Sequence, residues 1–255
     1  MRVWDVRPGL LIAGGGVSDL ALHHHPAVQI TVGGQGPLTV AHDGDAHDVC
    51  RLVVVASGAR HAVRSDSNSG ALTLYFGLQT PQGVALNTLA RSLGQQRGTW
   101  IVDGGKELAE AADASLAANG PQAAAEFLVD ELCGVDDRFS GGPRPVHPQL
   151  RHAMEIVSSR VPDHHLDVAS VAEAVALPPD YLGRLCKLQT GVSLSAAIRW
   201  ERLVSAVGHL LDGRSVTDAA HMAGFADGSH ANKVCREMTG AAPRDFAQAV
   251  RQTRI

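Results

Sequence analysis

Four side chains near the start of the chain have types and spacings that could hold a metal ion. His23, His25 and Gln29 are separated by even intervals, so on an extended strand all three point to one face. Gly36 follows Gln29 by seven residues, and Gly58 precedes His61 by three. Three imidazole nitrogens and one amide oxygen suit a divalent transition metal such as Zn, Fe, Ni or Cu, with positions left open for another ligand. The plainer use of the same residues is to line a pocket for an organic ligand. His24 would face away, and His42 and His47 are expected in exposed loops.

A second set of chemically useful residues lies near the C-terminus, on two predicted helices. With Leu182, Leu185 and Cys186 turned inward, Asp180, Gly183, Arg184 and Lys187 share the outer face of the first. With Ala231, Val234 and Cys235 inward, Ser229, Asn232, Lys233 and Arg236 share the outer face of the second. Arg reads guanine or clamps phosphate, Asn can pair with adenine, and Lys mostly neutralises phosphate. Any amphipathic helix has a solvated polar face, so one such helix would carry little weight.

The two helices belong to a duplicated unit. Val168, Ala172 and Val175 recur forty-eight residues later as Val216, Ala220 and Ala223. Arg184, Cys186, Lys187, Thr190 and Gly191 recur forty-nine residues later as Lys233, Cys235, Arg236, Thr239 and Gly240. A fixed-spacing match of apolar, basic and Gly positions marks a repeated supersecondary unit. Each copy reads as a short helix, a tight turn and a longer helix. Asp167 and Ser215 stand at N-caps, Pro179 suits a first helical position, and Gly191 and Gly240 suit left-handed C-caps. That is a helix-turn-helix pattern, whose second helix would enter a DNA major groove. Between the copies, Ala197, Trp200, Leu203, Val204, Val207, Leu210 and Leu211 recur at helical spacing. About 20 residues at about 1.5 Å each give about 30 Å, close to the ~34 Å turn of B-DNA. A helix of that length would present both reading helices to one side of a duplex.

Residues 148–250 resemble the DNA-binding domain of the AraC/XylS family of bacterial transcription regulators. The resemblance is carried by Tyr181-Leu182-x-Arg184, Thr190-Gly191-Val192-Ser193, Arg202-Leu203, Ala223-Gly224-Phe225, Ser229-His230 and Gly240-x-x-Pro243-x-x-Phe246. Cys186 and Cys235 stand where that family has Phe, and Ala231 replaces another large apolar residue, which implies repacking or a softer core. The histidine pattern is similar to the cupin motifs, with Ala56 where the second motif carries Pro and Ser65 where it ends in Asn. That likeness implies an N-terminal cupin-like double-stranded β-helix.

The elements around these residues fit such a plan. Short β-prone runs separated by Gly and Asp, at Leu10–Ala13, Ala27–Val32, Leu38–Ala41, Val49–Ala56 and Ala71–Gly77, predict an all-β barrel or sandwich over residues 1–80. Ala- and Leu-rich stretches then predict a helical appendage over 81–135, whose faces around Leu108–Leu116 and Phe127–Leu132 could serve either a homodimer or the core. Residues 136–147 read as a linker, and 148–255 as an all-α domain with two helix-turn-helix units. The expected class is therefore α+β multidomain. The four cysteines are far apart with no C-x-x-C, no run is long enough to span a membrane, and the N-terminus lacks a signal-peptide profile, so a cytoplasmic location is expected. The net charge of −4 is uneven: residues 1–145 carry 10 Lys+Arg against 15 Asp+Glu, and 146–255 carry 12 against 11.

Three functional classes follow. The first is a transcription regulator in which a small molecule or metal bound by the N-terminal domain controls the grip on double-stranded DNA, with RNA polymerase as a partner if it is an activator. The second is a cupin-type metalloenzyme, a dioxygenase or isomerase, with an accessory helical domain. The third is an adaptor whose C-terminal domain no longer binds DNA. No spacing in the sequence marks out a Ser/His/Asp triad, an activated-Cys setting or a phosphate-binding Gly loop, and the regulator is the reading the repeated unit favours.

Overall fold

The computed structural model describes residues 2–15, 21–42, 47–65, 69–94, 97–134 and 146–241. Most of the expected linker, and Pro243 and Phe246 of the C-terminal motif, lie outside them. Two antiparallel sheets form the N-terminal part. The larger contains β1 (Arg2–Arg7), β2 (Leu10–Gly14), β8 (Ala71–Gly77), β3 (Ala27–Gly33), β6 (Leu52–Val55) and β9 (Thr99–Ile101), in that order. The smaller has β4 (Leu38–Ala41) between β5 (His47–Cys50) and β7 (Ala62–Ser65).

Period-two alternation assigns the two faces of the larger sheet. Leu52 and Val54 of β6 join Val28, Ile30 and Val32 of β3 in a core under the helices, while Val53 and Val55 face Leu38, Val40 and Val63 of the smaller sheet. Strand β3 is covered on both faces, so Gln29 and Thr31, on the side away from the helices, are buried and need internal partners.

The expected boundary at residue 80 is not a packing boundary. Helices α1 (Pro81–Leu93), α2 (Gly105–Asn119) and α3 (Pro121–Gly134) cover the larger sheet, and β9 between them pairs with β6. Ala109, Ala112, Ala124, Leu128 and Leu132 share one core with Ile12, Ile30 and Leu74. The apolar stripe on α2 and α3 is thus turned largely into this core. The run expected as one strand over Val49–Ala56 is two, broken at Arg51, and β1, β7 and β9 were not anticipated. His42 is buried and bonded to Asp48 at 2.8 Å rather than exposed, and His47 lies on β5 instead of in a loop.

The C-terminal part is helical: α4 (Pro148–Ser159), α5 (Val168–Ala174), α6 (Pro179–Thr190), α7 (Leu194–Leu211), α8 (Val216–Met222) and α9 (Gly228–Thr239). The expected caps at Asp167 and Ser215 form, Asp167 with Ser170 as a full capping box, and Ser193 and Asp227 cap α7 and α9 in addition. The turn between α5 and α6 passes through Ala176 at φ 54, and its counterpart in the second copy is Gly224 at φ 78. The duplicated turn needs a left-handed residue. In the second copy a methyl group at Gly224 would also approach Val161 O to 2.7 Å, so only Gly fits both demands. Helix α7 joins the units: Leu194, Ala197 and Ile198 enter the core of the first, and Leu203, Val207 and Leu210 that of the second.

The second core does not stop at the domain. Val3, Leu11 and Ala27 of the sheet pack into it beside Val192, Trp200 and Val204. Cys186 and Cys235 are fully buried, and beside Cys235 and Ala231 a cavity of about 30 Å³ remains, a local trace of the small side chains there.

Candidate functional site

His23 and His25 precede β3 and are not part of it, so the expected strand placement fails although the residues converge. A short antiparallel bridge brings His23 and His61 together, with His23 N donating to His61 O at 3.0 Å and His61 N to His23 O at 2.9 Å. Gly58 N donates to His25 O at 2.9 Å. Gln29 enters from β3. One ligand atom from each of the three buried imidazoles lies within 4.8 Å of the others. His24 is exposed, as expected from the alternation.

The hydrogen bonds of the cluster identify its chemistry. Each imidazole places Nδ1 on a backbone carbonyl: His23 on Ala21 at 2.9 Å, His25 on Ala27 at 2.9 Å and His61 on Ala59 at 3.0 Å. A carbonyl only accepts, so each Nδ1 carries the proton and each neutral ring presents a lone pair at Nε2. Yet His25 Nε2 and His61 Nε2 sit 2.9 and 3.0 Å from Gln29 Oε1, itself an acceptor, while Gln29 Nε2 donates to Thr31 Oγ1 at 2.7 Å. Protonating the rings would cure the mismatch, but burial first, and then the neighbouring His23, pushes His25 down to about 3. Burial also lowers His23, and holds His61 well below the ordinary range. Reversing the amide would satisfy His25 and His61 but would leave His23 Nε2, which is buried with no partner. With the amide as it stands, two lone pairs and an amide oxygen meet without a donor and His23 lies close by, an arrangement that could hold a cation. Carbonyl partners on the far ring nitrogens are the usual orienting shell of histidine ligands.

Aromatic residues that sequence reasoning did not connect with this site close it. Tyr75 lies edge-on to His25 at 5.1 Å, and Trp200 of α7 lies 5.4 Å from His25 and 5.5 Å from Tyr75. Tyr75 is opposite Gln29 across the β3–β8 ladder, a register visible only in the sheet. The cluster therefore sits at the junction with the helical domain. Other ties cross it. Arg91 of α1 donates to Ser57 O at 2.7 Å and to Thr190 O at 3.1 Å, and Gln79 donates to Glu201 of α7 at 3.0 Å. Between α1, α4 and α6 lies a cleft of about 320 Å³ lined by Leu78, Val84, Leu150, Met154 and Arg91, among others.

Glu201 is buried, with Gln79 and Ser158 as its partners, and desolvation raises its carboxyl above the ordinary value of 4.5. A raised acid in the folded state means that stability falls as pH rises from the ordinary Glu range through the raised value. Glu201→Gln keeps the shape and one acceptor. It is expected to stabilise the chain by on the order of 1 kcal/mol at neutral pH, with the gain shrinking toward acid. Thermal unfolding of both proteins across that range would show it, and a variant less stable at mildly alkaline pH would refute the assignment.

The second candidate surface is the outer faces of α6 and α9. Asp180, Arg184 and Lys187 are exposed and Gly183 is half-exposed, with open space where a Cβ would stand. Ser229, Asn232, Lys233 and Arg236 are all exposed. Lys187 Nζ donates to Gly191 O at 2.7 Å, and Arg236 Nε to Asn232 Oδ1 at 3.3 Å. Leu182, Cys186, Ala231, Val234 and Cys235 are buried on the opposite sides. The 18 residues of α7 span about 27 Å between the units.

Comparison with known proteins agrees with this architecture. Residues 171–249 match the family model described as a helix-turn-helix domain. The arabinose operon regulatory protein of Salmonella typhimurium is 31% identical over 103 residues, which is 40% of this chain and 37% of that protein. Its Escherichia coli counterpart is 30% identical over 103 residues, covering 40% of this chain and 35% of that protein. The chain thus spans little more than a third of the length of these curated relatives. Crystal structures of ToxT from Vibrio cholerae share the fold over nearly the whole chain. The apo form of a ToxT variant has a TM-score of 0.64 at 12% identity, covering 97% of this chain and 100% of that one. Wild-type ToxT described as bound to an unsaturated fatty acid has a TM-score of 0.62 at 12% identity, covering 96% of each.

Proposed function

With a C-terminal domain of the AraC family of helix-turn-helix regulators as the premise, we propose that this chain is a transcription regulator that binds specific double-stranded DNA. Its N-terminal β-rich domain senses a small molecule or a metal ion. The observation that carries the reading is the pair of helices α6 and α9, with matched basic outer faces, joined by the 18-residue helix α7. The cupin-type enzyme is the weaker reading, because a tandem reading pair has no use in turnover. Among the described residues no helix is long and apolar enough to cross a membrane.

Duplexes selected from a random pool by the full chain provide the test. Arg184→Ala is expected to weaken the selected duplex by about 1–3 kcal/mol and to relax one base position if Arg184 reads a base. A uniform loss over all sequences would make it a phosphate contact. Absence of any salt-sensitive duplex binding would overturn the regulator reading and favour the adaptor.

In the N-terminal domain, the lone-pair mismatch supports a Zn-, Fe-, Ni- or Cu-type ion held by His23, His25 and His61, with Gln29 supplying oxygen. Such an ion would serve as the signal or as the anchor of an oxygen-bearing effector. The cleft beside Arg91 suits an organic effector with an apolar body and an anionic end, the chemistry of the fatty acid named for the ToxT structure. Activation would engage RNA polymerase, and a homodimer could use the half-buried Leu108, Leu116 and Phe127 at the margin of the core-packed stripe of α2 and α3.

A further inference from the structure

We infer that the histidine cluster is the common seat of both reading helices, so that metal occupancy sets how the two helices stand relative to each other. This inference rests on the metal reading of the cluster. The segments that carry the three imidazoles are each met by a different part of the helical domain. Gly240, the left-handed C-cap of α9, lies on the His23 loop: a methyl group there would come within 3.0 Å of Ala21 O and 3.2 Å of His23 Nδ1. Ala21 O is the carbonyl that holds the His23 ring. Gly191, the matching C-cap of α6, lies on the His61 loop: a methyl group on Gly58 would stand 3.0 Å from Gly191 O and from Val192 Cγ1. Arg91 ties the same two segments by donating to Ser57 O and Thr190 O. Trp200, midway along the connecting helix, covers His25.

The duplicated motif therefore meets the loops of the cluster twice, through equivalent glycines: Gly240 at Ala21 and His23, and Gly191 at Gly58, three residues before His61, with the linker helix between. Three nitrogens on a tetrahedral ion at about 2.0–2.1 Å stand about 3.4 Å from one another. The ligand atoms here are spread over as much as 4.8 Å. Binding would draw the three imidazoles toward one another, with most of the movement between His23 and His25, whose rings are the farthest apart at 5.8 Å. The backbones at Gly58 and Gly240 approach the other domain too closely to admit even a methyl group without strain, so a shift of either loop would press on its C-cap. Because the effect is a linkage, DNA that selects one spacing of the helices would in turn change metal affinity by the same factor.

Hydrogen exchange of the full chain, titrated with Co²⁺ alone, tests this, because the ion's absorption bands report binding independently. The amides to follow are Gly191 and Val192 in one unit and Gly240 and Ala241 in the other, bonded to Lys187 O, Thr190 Oγ1, Arg236 O and Thr239 Oγ1. One equivalent of bound Co²⁺ should slow exchange at both places by about threefold or more. In Arg91→Gln the absorption bands should persist while the response at Gly191 and Val192 falls away. Bound Co²⁺ with no change at either C-cap, or at only one, would overturn the common seat and leave the metal site intact. Absence of Co²⁺ bands would sink the metal reading and this inference with it.

Discussion

Phe225→Ala should destabilise the chain by about 3–5 kcal/mol, as expected for a buried aromatic removed from a core that cannot close over the gap. Phe225 has no exposed surface and is among the largest fully buried side chains. It occupies the turn between α8 and α9 and meets His230 edge-on at 5.5 Å. The cavity of about 30 Å³ left beside Ala231 and Cys235 is lined by Phe225 too, so truncation would enlarge an existing void. The same core contains Val3, Leu11 and Ala27 of the sheet, and the loss should loosen the docking of the two domains as well as the second unit. Urea unfolding would measure it. Duplex affinity should fall alike for all sequences, in contrast to Arg184→Ala. A cost under about 1 kcal/mol would mean that the second unit contributes little to global stability.

His61→Ala should abolish metal binding. Protein purified without an affinity tag should carry near-stoichiometric metal by elemental analysis, and the variant almost none. Loss of even an outer-shell partner costs about 10–100-fold in metal affinity, and loss of a direct imidazole should cost more. The His23–His61 bridge uses backbone groups only, so the alanine keeps the loop pairing and the fold should survive. If the parent protein takes up no Zn, Fe, Ni or Cu even when supplied with their salts, the metal reading fails. His23, His25, Gln29 and His61 would then line an organic pocket, and the DNA-binding proposal would stand unchanged.

Features set within a few residues of one another were readable from the chain alone. The caps at Asp167 and Ser215, the left-handed C-caps at Gly191 and Gly240, and the buried sides of α6 and α9 follow from helical spacing and local hydrogen bonds. The duplication strengthened each by repeating it. The grouping of His23, His25, Gln29 and His61 was also indicated by spacing, although only Gln29 lies on a strand.

What depended on strand pairing and domain docking was not readable. Three residues of β9 joined the sheet because β6 offered a free edge, and with them the helices α1 to α3 became the cover of the sheet in place of an appendage. His42 was buried by its neighbours, with no local signal to announce it. Trp200 reads as one more apolar position on α7, and only the packing of that helix on the sheet places it over His25. Helix type and caps are decided by interactions three or four residues apart, which a single segment of sequence contains. The closing of the histidine cluster by α7 and by both C-caps joins residues more than a hundred positions apart, and such contacts exist only once the two domains have packed.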